Sequence, residues 1–495
     1  MYFLNMFLPL VFIFFFLLDS PLYANDTVEI FPLEHYDQTI QNWIKPSDNG
    51  YDAPLLDSAV QKKRLEIFYA HYYGELSPWS ASYVQRVLQQ AAPNDLKTIE
   101  QTIILSFSNA NKPAEKIGYA ENFRPYKNDW ITDIAKNIQL DAWNQLSYQS
   151  NQRVIATENL NGRALPTEDV HFYDYKIAGQ GYPFDNLQNS VLWAGTPAYV
   201  ITETVDHAWS LVLTPNFIAW VQSHGLARVD DGFVKKWQTF SKNKLIAITH
   251  TKTSIIDKKG RFLFSAYVGS VFPSENSMTE IMVPIADAEH NAIMQKVSVP
   301  AENVTEMPLP ATKHNFANIM QTLIGRPYGW GGMYFYNDCS AELKSLFTPF
   351  AIWLPAHSSD QIKEGQWVDM SSAPVEQRLA YLMQNGKPFL TVIYIGGHVV
   401  LYIGNYSNPN SADHAMMAMT YQNIWGLRPS SGDKRSVIGQ AVLFPMLLQY
   451  PEDTRLVSLA AKPYFQVAYL NNLPSVNYLK QTPFIDLKAL MSPNN

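Results

Sequence analysis

The stretch Tyr328-Gly-Trp-Gly-Gly332 is followed by Asp338-Cys339-Ser340, which holds the single cysteine of this 495-residue chain. Apolar residues then recur at helical spacing, namely Leu343, Leu346, Phe347 and Phe350. This spacing predicts a helix with one buried face that begins at Cys339, capped by Asn337 or Asp338. The free N–H groups and the dipole at a helix N-terminus favour an anion, so we expect them to lower the pKa of the thiol. The alternative is that Cys339 is a small buried hydrophobic residue.

The composition narrows the classes of function. Apolar residues make up 47% of the chain and aromatic residues 13%, which is typical of a globular protein. A formal net charge of -7, with no run of basic residues, argues against a nucleic-acid-binding protein. No HExxH motif and no Cys/His ligand spacing is present, so we expect neither a metal nor a cofactor.

Residues 1–24 have the pattern of a signal peptide. An apolar segment covers residues 11–16, and Leu22-Tyr-Ala24 resembles a cleavage site. An uncleaved membrane anchor is the alternative, because no Lys or Arg precedes the apolar segment. The segment is short for a bilayer span, so we expect cleavage, export and no stable membrane insertion afterwards. A lone thiol in an oxidising compartment risks stray oxidation, which favours a catalytic role for Cys339.

The spacing of apolar and turn residues changes along the chain and predicts a succession of domains. Residues 25–148 have helical spacing and irregular segments, with Ser80 as a helix cap. Short β-like runs separated by turn residues follow, and they predict two small barrels, at 149–236 and at 237–310. A mixed α/β pattern covers 311–450. Residues 451–495 form a tail to which we assign no role.

A second functional candidate lies in the mixed region. Two β-rich runs flank Gly396-Gly397, which predicts a hairpin with His398 opening its second strand. A thiol nucleophile needs such a base, and the base needs a third polar group to fix its tautomer. Gln422, at the end of a third strand-like run from Ala415 to Tyr421, and His414, at its start, are both candidates for this group.

Several ordered motifs resemble the NlpC/P60 family of papain-like cysteine peptidases. They are Arg326-Pro-Tyr-Gly-Trp-Gly-Gly332, Asp338-Cys-Ser340, Leu354-Pro355 with Ser358-Ser-Asp-Gln361, and Gly397-His-Val-Val-Leu-Tyr-Ile-Gly404. Upstream, Leu165-Pro-Thr167, Gly181-Tyr-Pro-Phe-Asp185 with Gln188, and Asp206 with Trp209 resemble the first SH3-like domain of a Gram-negative subgroup. The resemblance therefore covers most of the chain.

The resemblance implies an α+β protein in which a helical N-terminal domain and two SH3-like β-barrels precede a papain-like catalytic domain. It implies a periplasmic enzyme that cleaves peptidoglycan stem peptides between γ-D-glutamate and a diamino acid, with a requirement for a free N-terminal L-alanine. Cys339 would be the nucleophile and His398 the base, with Gln422 as orienter. Substrate contacts carried over from the family fall on Tyr328, Asp338, Ser340 and Ser358.

The chain departs from the family pattern in two places. The subgroup usually has a histidine where Gln422 stands. After Leu354-Pro355 it usually has an arginine and a small acidic or amide residue, where this chain has Ala356 and His357. Two alternatives therefore stay open, which are a peptidoglycan-binding protein with a degenerate catalytic domain and an acyltransferase that uses the same thiol. The oligomeric state does not follow from the sequence.

Overall fold

The computed structural model describes residues 27–409, 414–452, 455–474 and 485–492. The predicted signal peptide therefore lies outside the described residues. The chain begins with a short strand and continues in helices, as the helical spacing of this region predicts. Their bounds are β1 Val28–Ile30, α1 Ile40–Trp43, α2 Ser58–Tyr72, α3 Ala81–Leu88, α4 Leu96–Phe107 and α5 Asn128–Ile138. Ser80 caps α3 as predicted, since its side chain accepts the N–H of Tyr83.

A seven-stranded antiparallel sheet follows where the first barrel is predicted. Its strands are β2 Arg153–Ala156, β3 Leu160–Arg163, β4 Gln188–Leu192, β5 Pro197–Glu203, β6 Trp209–Leu213, β7 Ile218–Gln222 and β8 Leu226–Arg228. Strand β4 lies at one edge, in the order β4-β3-β7-β6-β5-β2-β8. The sheet is SH3-like and does not close into a complete barrel.

Helix α6, Asp231–Asn243, leads into a second SH3-like unit that is built from three small sheets. Strands β9 Leu245–Ile248, β12 Val271–Pro273 and β15 Val304–Glu306 form one sheet. Strand β10 Thr253–Ile256 pairs with β11 Phe262–Ala266, and β13 Glu280–Ala286 pairs with β14 Ala292–Ser298. A buried cluster that includes Ile246, Phe264 and Phe272 fills the space between them.

The domain that follows packs helices against a second seven-stranded sheet. The helices are α7 Lys313–Leu323, α8 Cys339–Phe347, α9 Ser358–Gln361 and α10 Val375–Asn385. The strands are β16 Gln366–Asp369, β17 Thr391–Tyr394, β18 Val399–Ser407, β19 Met416–Leu427, β20 Arg435–Met446 and β21 Gln466–Tyr469. The predicted hairpin around Gly396-Gly397 is the β17–β18 pair, and both glycines have positive φ.

The order of this sheet is β1-β20-β19-β18-β17-β21-β16, so both ends of the chain enter it. Strand β1 pairs in parallel with β20, and β21 from the predicted tail lies between β17 and β16. The tail, for which the sequence predicts no role, therefore contributes a strand to this sheet. Farther on, α11, Leu487–Met491, packs into the core that α4 shares with the first SH3-like sheet.

Helix α8 lies at the centre of the core of this third domain. Its apolar residues Leu343, Leu346 and Phe347 are fully buried, and they pack with α7 and with the inner face of β18 and β19. The predicted buried face is thus confirmed. Among the residues that the structure describes, no helix is long and apolar enough to cross a membrane.

A buried carboxyl group lies between α4 and the first SH3-like sheet. Glu100 is 1% exposed, and its Oε1 accepts a hydrogen bond of 2.9 Å from Trp220 Nε1. Burial raises the pKa of Glu100 to about 8, and the hydrogen bond opposes the rise. The folded chain therefore holds a proton on Glu100 that the unfolded chain releases at acidic pH.

We expect the free energy of unfolding to fall as the pH rises from about 4.5 to about 8, because the folded state binds more protons there. Glu100→Gln keeps an acceptor for Trp220 and removes the titration. Denaturant unfolding at pH 5 and pH 8 should show the variant gaining at least about 1 kcal/mol on wild type between these pH values. An equal pH dependence in both proteins would contradict a neutral Glu100.

Candidate active site

Helix α8 places Cys339 in its first turn. The Asp338 side chain caps the helix, accepting the N–H of Ala341 at 2.8 Å, and also accepts the Ser340 hydroxyl at 3.0 Å. Of the two predicted capping residues, Asp338 is therefore the one that caps the helix. Cys339 is 7% exposed, and the backbone N–H groups of Ser340 and Val399 hydrogen-bond its sulfur.

The β17–β18 turn places His398 beside the start of α8. Its carbonyl accepts the N–H of Ile395 at 2.9 Å, and Val399, the next residue, is the one that contacts the Cys339 sulfur. Adjacent β19 supplies Gln422, whose Oε1 lies 2.8 Å from His398 Nε2. The structure thus brings together the three residues predicted as nucleophile, base and orienter.

The orientation of the Gln422 amide is fixed by a chain of hydrogen bonds. Its Nε2 donates to Thr420 Oγ1 at 2.9 Å, and that hydroxyl donates onward to the carbonyl oxygen of Phe444 at 2.6 Å. The Gln422 oxygen must therefore face His398 and accept a hydrogen bond from its Nε2–H group. This leaves Nδ1 of His398 as the basic nitrogen of the ring.

The pKa of Cys339 is opposite to the expectation from the helix N-terminus. Burial raises it to about 12, and the negative charge of Asp338 adds to the rise. The N–H groups of Val399, Ser340 and Cys339 act in the expected direction but are outweighed. The prediction of a lowered thiol pKa is therefore wrong for the unliganded chain.

The pKa of His398 is shifted in the opposite direction to that of Cys339. Burial lowers the pKa of its imidazole to about 4, the hydrogen bond that His398 donates to Gln422 opposes this, and the charge of Lys462 adds to the lowering. A weakly acidic thiol and a weakly basic ring favour the neutral forms of both groups. The resting pair is therefore an uncharged thiol beside an uncharged imidazole.

Tyr328 lies near Cys339 and Asp338. Burial raises its pKa well above the usual value, and the negative charge of Asp338, together with that of Cys339 when its thiol is ionised, reinforces this. The phenol is therefore a hydrogen-bond donor over the whole working range of pH. The Tyr328 ring lies 6.1 Å from that of Trp425, and aromatic contacts continue from Trp425 through Phe184 to Trp330.

The loop before Cys339 is held by the first SH3-like sheet. Gln188 Nε2 donates to the Gly331 carbonyl at 3.0 Å, and Trp330 Nε1 donates to the Asp185 carbonyl at 3.1 Å. A Cβ atom on Gly331 would lie 2.4 Å from the backbone oxygen of Gln188, so only glycine permits this approach. Buried Arg163 holds both partners, binding the Asp185 carboxylate at 2.5 Å and Gln188 Oε1 at 3.2 Å.

The remaining residues that the sequence predicts for the site lie outside the group formed by Cys339, His398 and Gln422. Ser358 opens α9, and it is Ala356 that lines the small pocket beside Asp338 and Ser340. His357 is partly buried. His414 is exposed, and its carbonyl accepts the hydroxyl of Ser407 at the far end of β18, about 30 Å along the strand from His398.

Two features of the site were not anticipated from the sequence. One is the support beneath the loop, where buried Glu342 accepts hydrogen bonds from Tyr421 and Asn337, and Asn423 donates to the Asn337 carbonyl. The other is the Thr420 hydroxyl behind Gln422. The strand prediction ended before Gln422, whereas β19 continues to Leu427 and carries Thr420, Gln422 and Asn423 through the core.

Within the described parts of the chain, no group of three or more His, Cys, Asp or Glu side chains is arranged to hold a metal ion.

Comparison with known proteins identifies both SH3-like units. Residues 171–222 match the family model of an SH3 domain of the SH3b1 type, and residues 230–277 match an SH3 domain of the SH3b2 type. Against the curated proteins, the chain has no significant match.

Among solved structures, the chain is similar to an NlpC/P60 endopeptidase from Photobacterium damselae subsp. piscicida. The two share 26% sequence identity with a TM-score of 0.75, over 91% of this chain and 100% of the other. An NlpC/P60 family protein from Bacillus cereus is more distant, with 16% identity and a TM-score of 0.39, over 58% of this chain and 83% of that one. The chain therefore contains two SH3 domains and is similar over most of its length to an NlpC/P60 endopeptidase.

Proposed function

We propose that the protein is a cysteine endopeptidase that hydrolyses peptidoglycan stem peptides at the bond between γ-D-glutamate and a diamino acid. The observation that carries this proposal is the hydrogen bond between His398 Nε2 and Gln422 Oε1 beside the first turn of α8. It leaves the basic Nδ1 available to Cys339. The similarity to an NlpC/P60 endopeptidase supports the same class of reaction.

The reaction begins from the neutral pair. Substrate binding brings the scissile carbonyl to the Cys339 sulfur, the thiol proton passes to His398 Nδ1, and the C–S bond forms. The imidazolium then protonates the leaving amine of the diamino acid, which releases it and leaves a thioester. Water attacks this acyl-enzyme while His398 removes a proton from the water, and the free thiol is regenerated.

The tetrahedral intermediates place a negative charge on the carbonyl oxygen. The backbone N–H of Cys339 has no intrahelical acceptor because it lies in the first turn of α8. Together with the protonated hydroxyl of Tyr328, it would stabilise this oxyanion. The positive end of the α8 dipole favours the same charge.

Asp338 would select substrates with a free N-terminal L-alanine. Its buried carboxylate raises the pKa of Cys339, which is an unfavourable arrangement for a thiolate. A substrate α-ammonium close to Asp338 would cancel that charge and lower the thiol pKa as the substrate binds. Ser340, whose hydroxyl binds Asp338, and Ser358 would line the same region.

The two other functions have less support. A degenerate catalytic domain in a binding protein would have no need of a histidine whose tautomer is set by Gln422 and Thr420. Acyl transfer requires the same thioester and differs only in the acceptor that replaces water. We propose export to the periplasm of a Gram-negative bacterium as the setting in which the enzyme meets this substrate.

Incubation with L-Ala-γ-D-Glu-diaminopimelate should release diaminopimelate from the free peptide, and Cys339→Ala should abolish the release. The N-acetylated peptide should react at least about tenfold more slowly, because it has no ammonium to neutralise Asp338. Liquid chromatography with mass detection measures both rates. If the freshly reduced enzyme left the free peptide intact, the peptidase proposal would fail, and equal rates for the two peptides would refute only the role of Asp338.

Gln422→Ala should lower kcat on the order of 100-fold with a smaller change in KM, because His398 loses its tautomer control. His414→Ala is the matched control, since this exposed residue lies at the far end of β18, and we expect wild-type kinetics for it. Steady-state kinetics on the same peptide measure both variants. Activity lost only in His414→Ala would show that the orienter is wrongly assigned.

Asp338→Asn should lower the pKa of Cys339, because it removes a nearby negative charge while asparagine still caps α8. Alkylation of the thiol by iodoacetamide at pH 8 should then be several-fold faster than in wild type, because thiolate is the reacting form. Asp360→Asn, on the outer part of α9, should leave the rate unchanged. An unaltered rate in Asp338→Asn would contradict the electrostatic explanation of the raised thiol pKa.

A further inference from the structure

Three basic side chains lie close together where β19 ends and β20 begins. The last pair of the β19–β20 ladder at this end is Leu427 with Ser436, and Arg428 and Arg435 follow it directly. The charge of Arg428 acts on Arg435, and the charges of both act on Lys462, in the segment before β21. These three side chains, Arg428, Arg435 and Lys462, form the cationic cluster.

The cationic cluster has no ion pair with a carboxylate among the residues that the structure describes. The neighbouring carboxylates have other partners, since Glu29 Oε2 lies 3.9 Å from Lys434 Nζ and Asp433 accepts the hydroxyl of Ser431. Burial lowers the pKa of Lys462, and the charges of the two arginines lower it further. Like charges held together without a counter-ion repel one another, so the cluster is suited to bind an anion.

The segment that carries Lys462 lies beside the β17–β18 turn. A Cβ atom on Gly396 of this turn would lie only 3.1 Å from Cδ2 of Tyr464. The backbone of the segment is fixed, because Arg378 Nη1 donates to the Lys462 carbonyl at 2.7 Å. The charge of Lys462 acts on His398, two residues after Gly396. The cationic cluster therefore begins next to the proposed base and continues outward to the strand ends.

The position of His398 indicates which part of a substrate the cluster would meet. In the proposed reaction the imidazolium protonates the leaving amine, so this amine has to come within hydrogen-bond reach of His398. The rest of the leaving group extends from that nitrogen. Asp338, for which we propose the N-terminal ammonium of the substrate as partner, acts on Cys339 and Tyr328 instead. The cluster is therefore on the side of the leaving diamino acid.

We propose that Lys462, Arg428 and Arg435 form a subsite that binds the carboxylates of the leaving diamino acid. This inference rests on the proposed function and deepens it, because it selects between diamino acids. Diaminopimelate carries a carboxylate at the end of its side chain, where lysine has none. A subsite built from three cations therefore favours diaminopimelate as the leaving group.

Kinetics on two peptides test this selectivity, namely L-Ala-γ-D-Glu-diaminopimelate and its counterpart with L-lysine. Wild type should favour the diaminopimelate peptide at least about fivefold in kcat/KM, mainly through KM, because half-exposed ion pairs contribute modestly. The preference should shrink at high salt, which screens such pairs. Lys462→Met and Arg428→Met should each reduce the preference, and Lys462→Arg should retain it. Lys434→Met, which removes a lysine already paired with Glu29, is the matched control and should retain it.

A binding measurement separates this inference from the proposed reaction. Calorimetry on the Cys339→Ala protein should show the same preference between the two peptides and the same loss in Lys462→Met. Equal binding of the two peptides, or a preference that survives the removal of both Lys462 and Arg428, would overturn the subsite and leave the peptidase proposal intact. If neither peptide bound, the proposed function would fail and the subsite with it.

Discussion

The contact between Gln188 and the Gly331 carbonyl is the constraint on which the geometry of the site depends. The loop that it holds contains Tyr334 and Phe335, which both adopt positive φ, a conformation unfavourable for aromatic residues. Such a loop persists only where its surroundings determine it. The buried Arg163 fixes Gln188 in place, so the first SH3-like domain is part of the structure that presents Tyr328 and Cys339.

Burial affects the pKa values of Cys339 and His398 more strongly than the helix dipole and the hydrogen bonds do. At the start of α8 the helix dipole and three N–H groups favour a thiolate, yet the pKa of Cys339 is raised to about 12. Desolvation of the sulfur and the negative charge of Asp338 explain this raised pKa. Both disfavour the thiolate, and the buried site holds little water that could screen the charge. The same burial lowers the pKa of His398, so the proton stays on sulfur in the unliganded chain.

The sequence predicted the local elements of the site well, because local patterns encode them. Cys339 at a helix start, the Gly396-Gly397 hairpin and the cap at Asp338 all follow from spacing and turn chemistry. The contact between Gln422 and His398 could not be predicted from local patterns alone, because it depends on the tertiary structure. Its hydrogen bond to Thr420 follows from the two-residue period of β19, but that this face of the strand meets His398 depends on the order of the sheet.

The parts that were missed depend on pairings between residues far apart in the chain. Strand β1 joins β20 across about 400 residues, and β21 inserts beside β17, so the N- and C-terminal segments complete the sheet that carries His398. Neither short strand has a pattern that distinguishes it from a loop. The thiol pKa was misjudged for a related reason, since the helix start is visible in the sequence whereas the depth of its burial is not. The small cavity that Asp338, Ser340 and Ala356 line arises where α8, the Pro355 loop and β4 converge, so it too depends on packing between segments far apart in the chain.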